Sequence, residues 1–151
     1  MNRLSELELG NVLLTDGTTD LQRLPTQEQS LLRQHDGQAT LVRITGPVSY
    51  AVARGLKSRF AQLQHRDYLI IDISDAAIIG ISTAMVLEEL VRSAQLHGSG
   101  VRLVDSQRSH RHELRQLDVM QLIGEKHCVD TVTEAFQSIE MPDRNAPPAT
   151  T

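Results

Sequence analysis

Hydrophobic positions along this chain follow two periods that take turns. In ATLVRIT (39–45) they alternate, with Leu41, Arg43 and Thr45 on one side and Val42 and Ile44 on the other, which predicts a strand. Gly46-Pro47 ends it. Ala53, Leu56, Phe60 and Leu63 then recur at spacings of three and four, with Arg54, Lys57 and Arg59 elsewhere, the signature of an amphipathic helix. DYLIIDI (67–73) is rich in branched residues and apolar enough for a sheet centre. Leu87, Leu90, Val91 and Ala94 mark one face of a second helix, Glu88 and Arg92 form an i,i+4 pair on another face, and Gly98 and Gly100 bracket its end. Val101 to Val104 predicts another strand. Leu114 and Leu117 predict a short basic helix, and Val129, Val132, Phe136 and Ile139 a terminal helix with Thr131 and Glu134 at capping-box spacing.

The N-terminal stretch is more mixed. Leu4, Leu7 and Leu9 suit the end of a helix arriving from elsewhere, Val12 to Leu14 a short strand, and Asp16-Gly17 a turn. Pro25-Thr26 opens a helix through Leu31 and Leu32 that stops near Asp36-Gly37, with Thr26 and Gln29 at capping-box spacing. The tail from Pro142 (PDRNAPPATT) has little to bury and is expected to be disordered. Strands alternating with amphipathic helices predict an α/β fold, a central sheet with helices packed on it and parallel neighbours joined through helices.

Composition narrows the functional classes. The 151 residues fit one domain, and with 40% hydrophobic and 23% charged residues they are too apolar for a wholly disordered chain. Fifteen Lys and Arg against nineteen Asp and Glu, a net charge of −4, argue against a general binder of nucleic acid, and 3% aromatics with no Trp against stacking platforms. Cys128 is the single cysteine, so no internal disulfide exists. The apolar stretches 68–71 and 76–81 are far short of the roughly 20 residues of a membrane span, and MNRLSELELG lacks the apolar core of a signal peptide. The chain as given therefore reads as soluble and cytoplasmic.

Four segments in order resemble the STAS domain family (sulfate transporter and anti-sigma-factor antagonist): LVRITGPVSYAVARGLKSRF, LIIDISDAAIIGISTA, MVLEELVRSAQLHG with VRLVD, and VDTVTEAFQSIE. Together they cover roughly residues 38 to 140. The Gly46-Pro47 turn leading into a small-residue helix resembles the SulP anion-transporter branch, and IIGISTAMVLEEL is similar to the corresponding segment in bicarbonate transporters of photosynthetic bacteria. The resemblance implies a mixed sheet flanked by α-helices, no enzymatic activity, no cofactor, and a place at the cytoplasmic face of the inner membrane, C-terminal to a membrane domain. Residues 1–25 would be the linker from that domain, 26–141 the STAS domain and 142–151 the tail. The implied partners are a second copy in a homodimer, the transporter's own membrane domain, and a regulatory protein or ligand. The alternative within the family is a free-standing anti-sigma-factor antagonist.

The same resemblance singles out one loop. Stand-alone members carry an Asp followed by a phosphorylated Ser or Thr before the long helix. Here Gly80 stands at the Asp position, followed by Ile81, Ser82 and Thr83, so the hydroxyls of Ser82 and Thr83 are regulatory candidates without the acidic neighbour. A phosphate there would sit at the positive end of a helix. The plainer reading makes Ser82 the helix N-cap.

Elsewhere, Asp72 and Asp75 lack the convergent groups of a phosphotransfer or Mg²⁺ site and read as a strand-end residue and a loop cap. Arg108, Arg111 and Arg115, with His110 and His112, are candidates to meet an acidic partner, lipid headgroups or an anionic ligand, against the plainer expectation of a solvated helix face. His110, His112, His127 and Cys128 lack the regular spacing of a zinc site, and Cys128 reads as a small buried hydrophobe. Gly98-Ser99-Gly100 follows a helix and precedes a strand, the wrong order for a nucleotide loop.

Overall fold

A computed structural model describes residues 6–9, 11–15, 24–35, 38–62, 67–108 and 110–140. Among the described residues, six strands lie side by side in sequence order: β1 (Glu6–Leu9), β2 (Val12–Thr15), β3 (Ala39–Ile44), β4 (Tyr68–Asp72), β5 (Gly100–Val104) and β6 (Cys128–Val129). The first three pair antiparallel, and β3 to β6 pair parallel, with Leu41 opposite Ile70 and Ile70 opposite Arg102. The expected mixed sheet flanked by helices is the fold observed.

The helices are α1 (Thr26–Gln34), α2 (Tyr50–Gln62), α3 (Gly80–Leu96), α4 (His110–Arg115), α5 (Asp118–Ile123) and α6 (Val132–Glu140). Because the parallel strands advance one place at a time, right-handed crossovers deliver every connecting helix to the same face. The packing agrees. On one face Leu56 of α2, Leu87 and Leu90 of α3, Leu114 of α4 and Val119 and Ile123 of α5 close over Val42, Ile44, Leu69, Ile71, Val101 and Leu103. On the other, Leu32 of α1 and Val132, Ala135, Phe136 and Ile139 of α6 cover Ala39, Leu41, Ile70 and Val104. The alternation within β3 divides its side chains between the two cores as the sequence predicts.

Several local expectations change. Leu7 and Leu9 lie in β1, paired with β2, rather than at a helix end. Thr26 does not cap α1: Pro25 occupies the N-cap without a side-chain bond, and the Gln29 amide instead donates to the Leu24 carbonyl at 2.7 Å. Leu117 falls between α4 and α5, in extended conformation, so the predicted basic helix is two short helices. Val129 belongs to β6, and the terminal helix begins only at Val132. Its capping does form, with the Glu134 N–H donating to Thr131 Oγ1 at 3.0 Å. Leu4, the Asp16-Gly17 turn, the helix stop at Asp36-Gly37, Leu63 and the tail from Pro142 lie outside the described residues.

Candidate functional site

The Gly46-Pro47 turn is held from outside by Asn11, whose side-chain Nδ2 donates to the Pro47 carbonyl at 2.9 Å while the Asn11 backbone carbonyl accepts the Thr45 N–H at 2.9 Å. A side chain at residue 46 would collide with Asn11, since a β-carbon there falls 2.8 Å from its Nδ2. The turn delivers Ser49 to the start of α2, where its hydroxyl accepts the Val52 N–H at 3.2 Å and its carbonyl the Ala53 N–H at 2.8 Å. Val48 N–H in turn donates to Thr83 Oγ1 at 3.2 Å. The starts of α2 and α3 are therefore tied to each other.

Between them opens a cleft of about 600 Å³. Tyr50, Ala53, Arg54, Lys57 and Ser58 line it from α2, at helical spacing, and Ser82, Met85, Val86 and Glu89 from α3. Ser82 is exposed in the first turn of α3, while Thr83 is buried and committed to Val48. Ile79, without a side-chain bond, occupies the N-cap, so Ser82 is not the helix cap the sequence suggested. The first-turn amides of α3 receive no side-chain cap, and a helix start left so favours negative charge. Gly80 has φ +67°, a backbone that residues with a β-carbon rarely adopt; this gives the glycine at this position a conformational reason.

The basic run is not one solvated face. His110 is buried, whereas Arg108 and Arg111 both turn to Asp130, at 2.6 Å and 3.0 Å, and Arg115 pairs with Glu125. The hydrogen bond from Arg108 holds the Asp130 carboxyl below its ordinary value, aided by the nearby charge of Arg111. Each arginine named as a partner contact thus already has a carboxylate within the chain. The buried side chains of Asp105 and His110 meet no hydrogen-bond partner among the described residues. Among the described residues, no three His, Cys, Asp or Glu side chains come together as metal ligands. His127 Nδ1 donates to the Ile123 carbonyl at 2.8 Å, and Cys128 lies 3.4 Å from the Met120 sulfur. Cys128 is half-buried rather than buried as expected, and burial pushes its thiol pKa up, against the thiolate form.

Asp72 ends β4 as expected, but with a partner the sequence reading missed. Arg43 Nε and one terminal nitrogen donate to Asp72 Oδ2 at 3.0 and 2.8 Å, and the same nitrogen to Glu28 Oε1 at 2.6 Å. Burial works against the Arg43 charge, but the hydrogen bonds and charges of Glu28 and Asp72 outweigh it and hold the pKa above the usual arginine value. A single charged residue in an otherwise uncharged strand was the available signal. The other Asp72 oxygen accepts the Ser74 N–H at 2.9 Å, so this carboxylate is fully engaged in structure. Asp75 is exposed.

Fold and cleft together define a class, a helix-flanked mixed sheet whose open groove lies between the two helices that follow β3 and β4. The chain belongs to the STAS domain family, which it matches over residues 30–135. It is similar to the bicarbonate transporter BicA of Synechocystis sp., 24% identical over 137 residues, and to BicA of Picosynechococcus sp., 23% identical over 138. In both, the match takes in 91% of this chain and 24% of the relative, so the chain spans about a quarter of the length of the curated relatives it matches. The SulP transporter STAS domain of Vibrio cholerae shares the fold with a TM-score of 0.64 at 19% identity, over 77% of this chain and 95% of that one. A sulfate transporter family protein of Wolinella succinogenes superposes with a TM-score of 0.60 at 18% identity, over 68% and 84%. No helix among the described residues is long and apolar enough to cross a membrane.

Proposed function

We propose that this chain serves as the cytoplasmic STAS domain of a SulP-type inorganic anion transporter for bicarbonate or sulfate. In this reading it is not an enzyme, and it regulates and dimerises the membrane domain to which it is joined. The observation that carries the reading is the alignment with BicA, which runs through nearly all of this chain but only 24% of the transporter. A body of this kind acts by differential contact: a partner that binds one arrangement of two membrane domains better than another shifts their populations.

The test is a chimera. BicA lacking its matching segment is compared, in cells without other bicarbonate uptake, with BicA carrying this chain in that place. The expected result is that deletion abolishes uptake and the chain restores a substantial part of it, with the chimera running as a dimer in detergent. Restoration no better than that given by an unrelated soluble domain of equal size sinks the reading.

The exposed hydroxyl of Ser82 in the first turn of α3 favours a second reading, a free-standing antagonist switched by phosphorylation. That reading predicts phosphate on Ser82 after incubation with a sigma-regulating kinase and ATP, and loss of the product in Ser82→Ala.

A further inference from the structure

Tyr50, Ile78, Ile81 and Met85 are four of the five large hydrophobic side chains exposed among the described residues, at 78%, 67%, 75% and 59%. All four belong to the first two turns of α2 and α3 or the residues just before them, and Tyr50 and Met85 line the cleft itself. Apolar surface gathered in one place beside a groove marks a contact site. The charges there have a sign. Arg54 and Lys57 stand on the α2 wall, and the α3 wall answers with Glu89 alone, 3.8 Å from Lys57. The uncapped amides of α3 add to the positive side. With Lys57 facing Glu89, the cleft carries a surplus of one positive charge, Arg54, on a chain of net charge −4.

We propose that the α2–α3 cleft is a docking groove for an acidic amphipathic helix of a partner protein. Two helix walls that carry Ala53, Met85 and Val86 between them suit the helix-in-groove mode, in which side chains at i, i+3 or i+4 and i+7 enter the groove and flanking carboxylates meet Arg54 and Lys57. A second copy fits poorly, because it would offer to Arg54 and Lys57 a single carboxylate, Glu89, that already faces a lysine of its own chain. A small ligand confined to the cleft leaves Ile78 and Ile81, which do not line it, in water. The proposal is independent of the transporter reading, and any homodimer then uses another face.

The test is a titration of the isotope-labelled chain, followed by amide NMR, with two synthetic helices of about 16 residues, roughly four turns. Both carry Leu at i, i+3 and i+7; one has Glu and the other Lys on the flanks. The acidic helix is expected to move amides of residues 48–58 and 78–89, and to bind about tenfold more weakly to Arg54→Glu/Lys57→Glu and to Met85→Asp, and more weakly as salt rises. These side chains are exposed, and the unchanged spectrum of each free variant verifies its fold. Equal binding of the basic helix, shifts elsewhere, no shifts at millimolar peptide, the same shifts with inorganic phosphate alone, or concentration-dependent self-association through these residues each overturn the proposal.

Discussion

Arg43 shows how a single side chain can be visible in a sequence while its role is not. Alternation places it on the Leu41 face of β3, and the structure agrees. The two carboxylates it holds come from positions 28 and 72, on α1 and β4, and no local pattern announces that meeting. The side chains of Arg43, Glu28 and Asp72 are 13%, 16% and 7% exposed, so losing the cation leaves two largely buried carboxylates facing each other. Arg43→Met is expected to cost about 3 kcal/mol of unfolding free energy in urea, and Glu28→Gln/Asp72→Asn on that background to recover much of it. A loss below about 1 kcal/mol shows the triad to be solvated and weak. The arginines at 108, 111 and 115 teach the same lesson from outside the core. The run of charge is plain in the sequence, but its partners, Glu125 before β6 and Asp130 just after it, are met only once the chain has folded back to β6.

Elements were legible in proportion to their length and to the purity of their period. β3, β4, α2 and α3 have both, and their sequence patterns already separate sheet from helix. β6 is two residues long, and Val129 stands three places before Val132, the spacing of one helix face, so periodicity alone drew it into α6. The boundary is set instead by Thr131, which accepts the Glu134 N–H, while Glu134 Oε2 accepts the Asp130 N–H at 3.3 Å, one residue earlier than a regular capping box requires. Thr131→Ala is therefore expected to destabilise the fold by about 1 kcal/mol, and Thr131→Ser to be nearly neutral. Equal losses in the two variants, measured by thermal unfolding, mean that the methyl group rather than the oxygen matters. In the cleft, the helices were legible but the start of α3 was not. Gly80 with its positive φ begins that helix two residues before Ser82, which hydrophobic spacing could not reveal.

At the scale of the molecule, the two cores are one structure because they share strands. Val42 and Ile44 pack against α2 and α3, while Ala39 and Leu41, in the same strand, pack against α1 and α6. β4 and β5 are divided in the same way. Neither layer of helices can leave without exposing one whole face of β3 and β4, which are buried along nearly their full length. The face covered by α1 and α6 is the smaller, and Phe136 is its largest side chain, fully buried and 4.9 Å from the His35 ring. Phe136→Ala on that face and Leu56→Ala on the other are each expected to cost about 3 to 4 kcal/mol. If the sheet couples the faces, both variants lower the same single unfolding transition. Native-state hydrogen exchange then shows protection falling by equal free energies in β3, α3 and α6, whichever face was cut. Should Phe136→Ala loosen α1 and α6 while α2 and α3 keep their protection, the smaller layer is a separate unit. The docking cleft, on the opposite face, would then be insulated from it rather than mechanically joined to it.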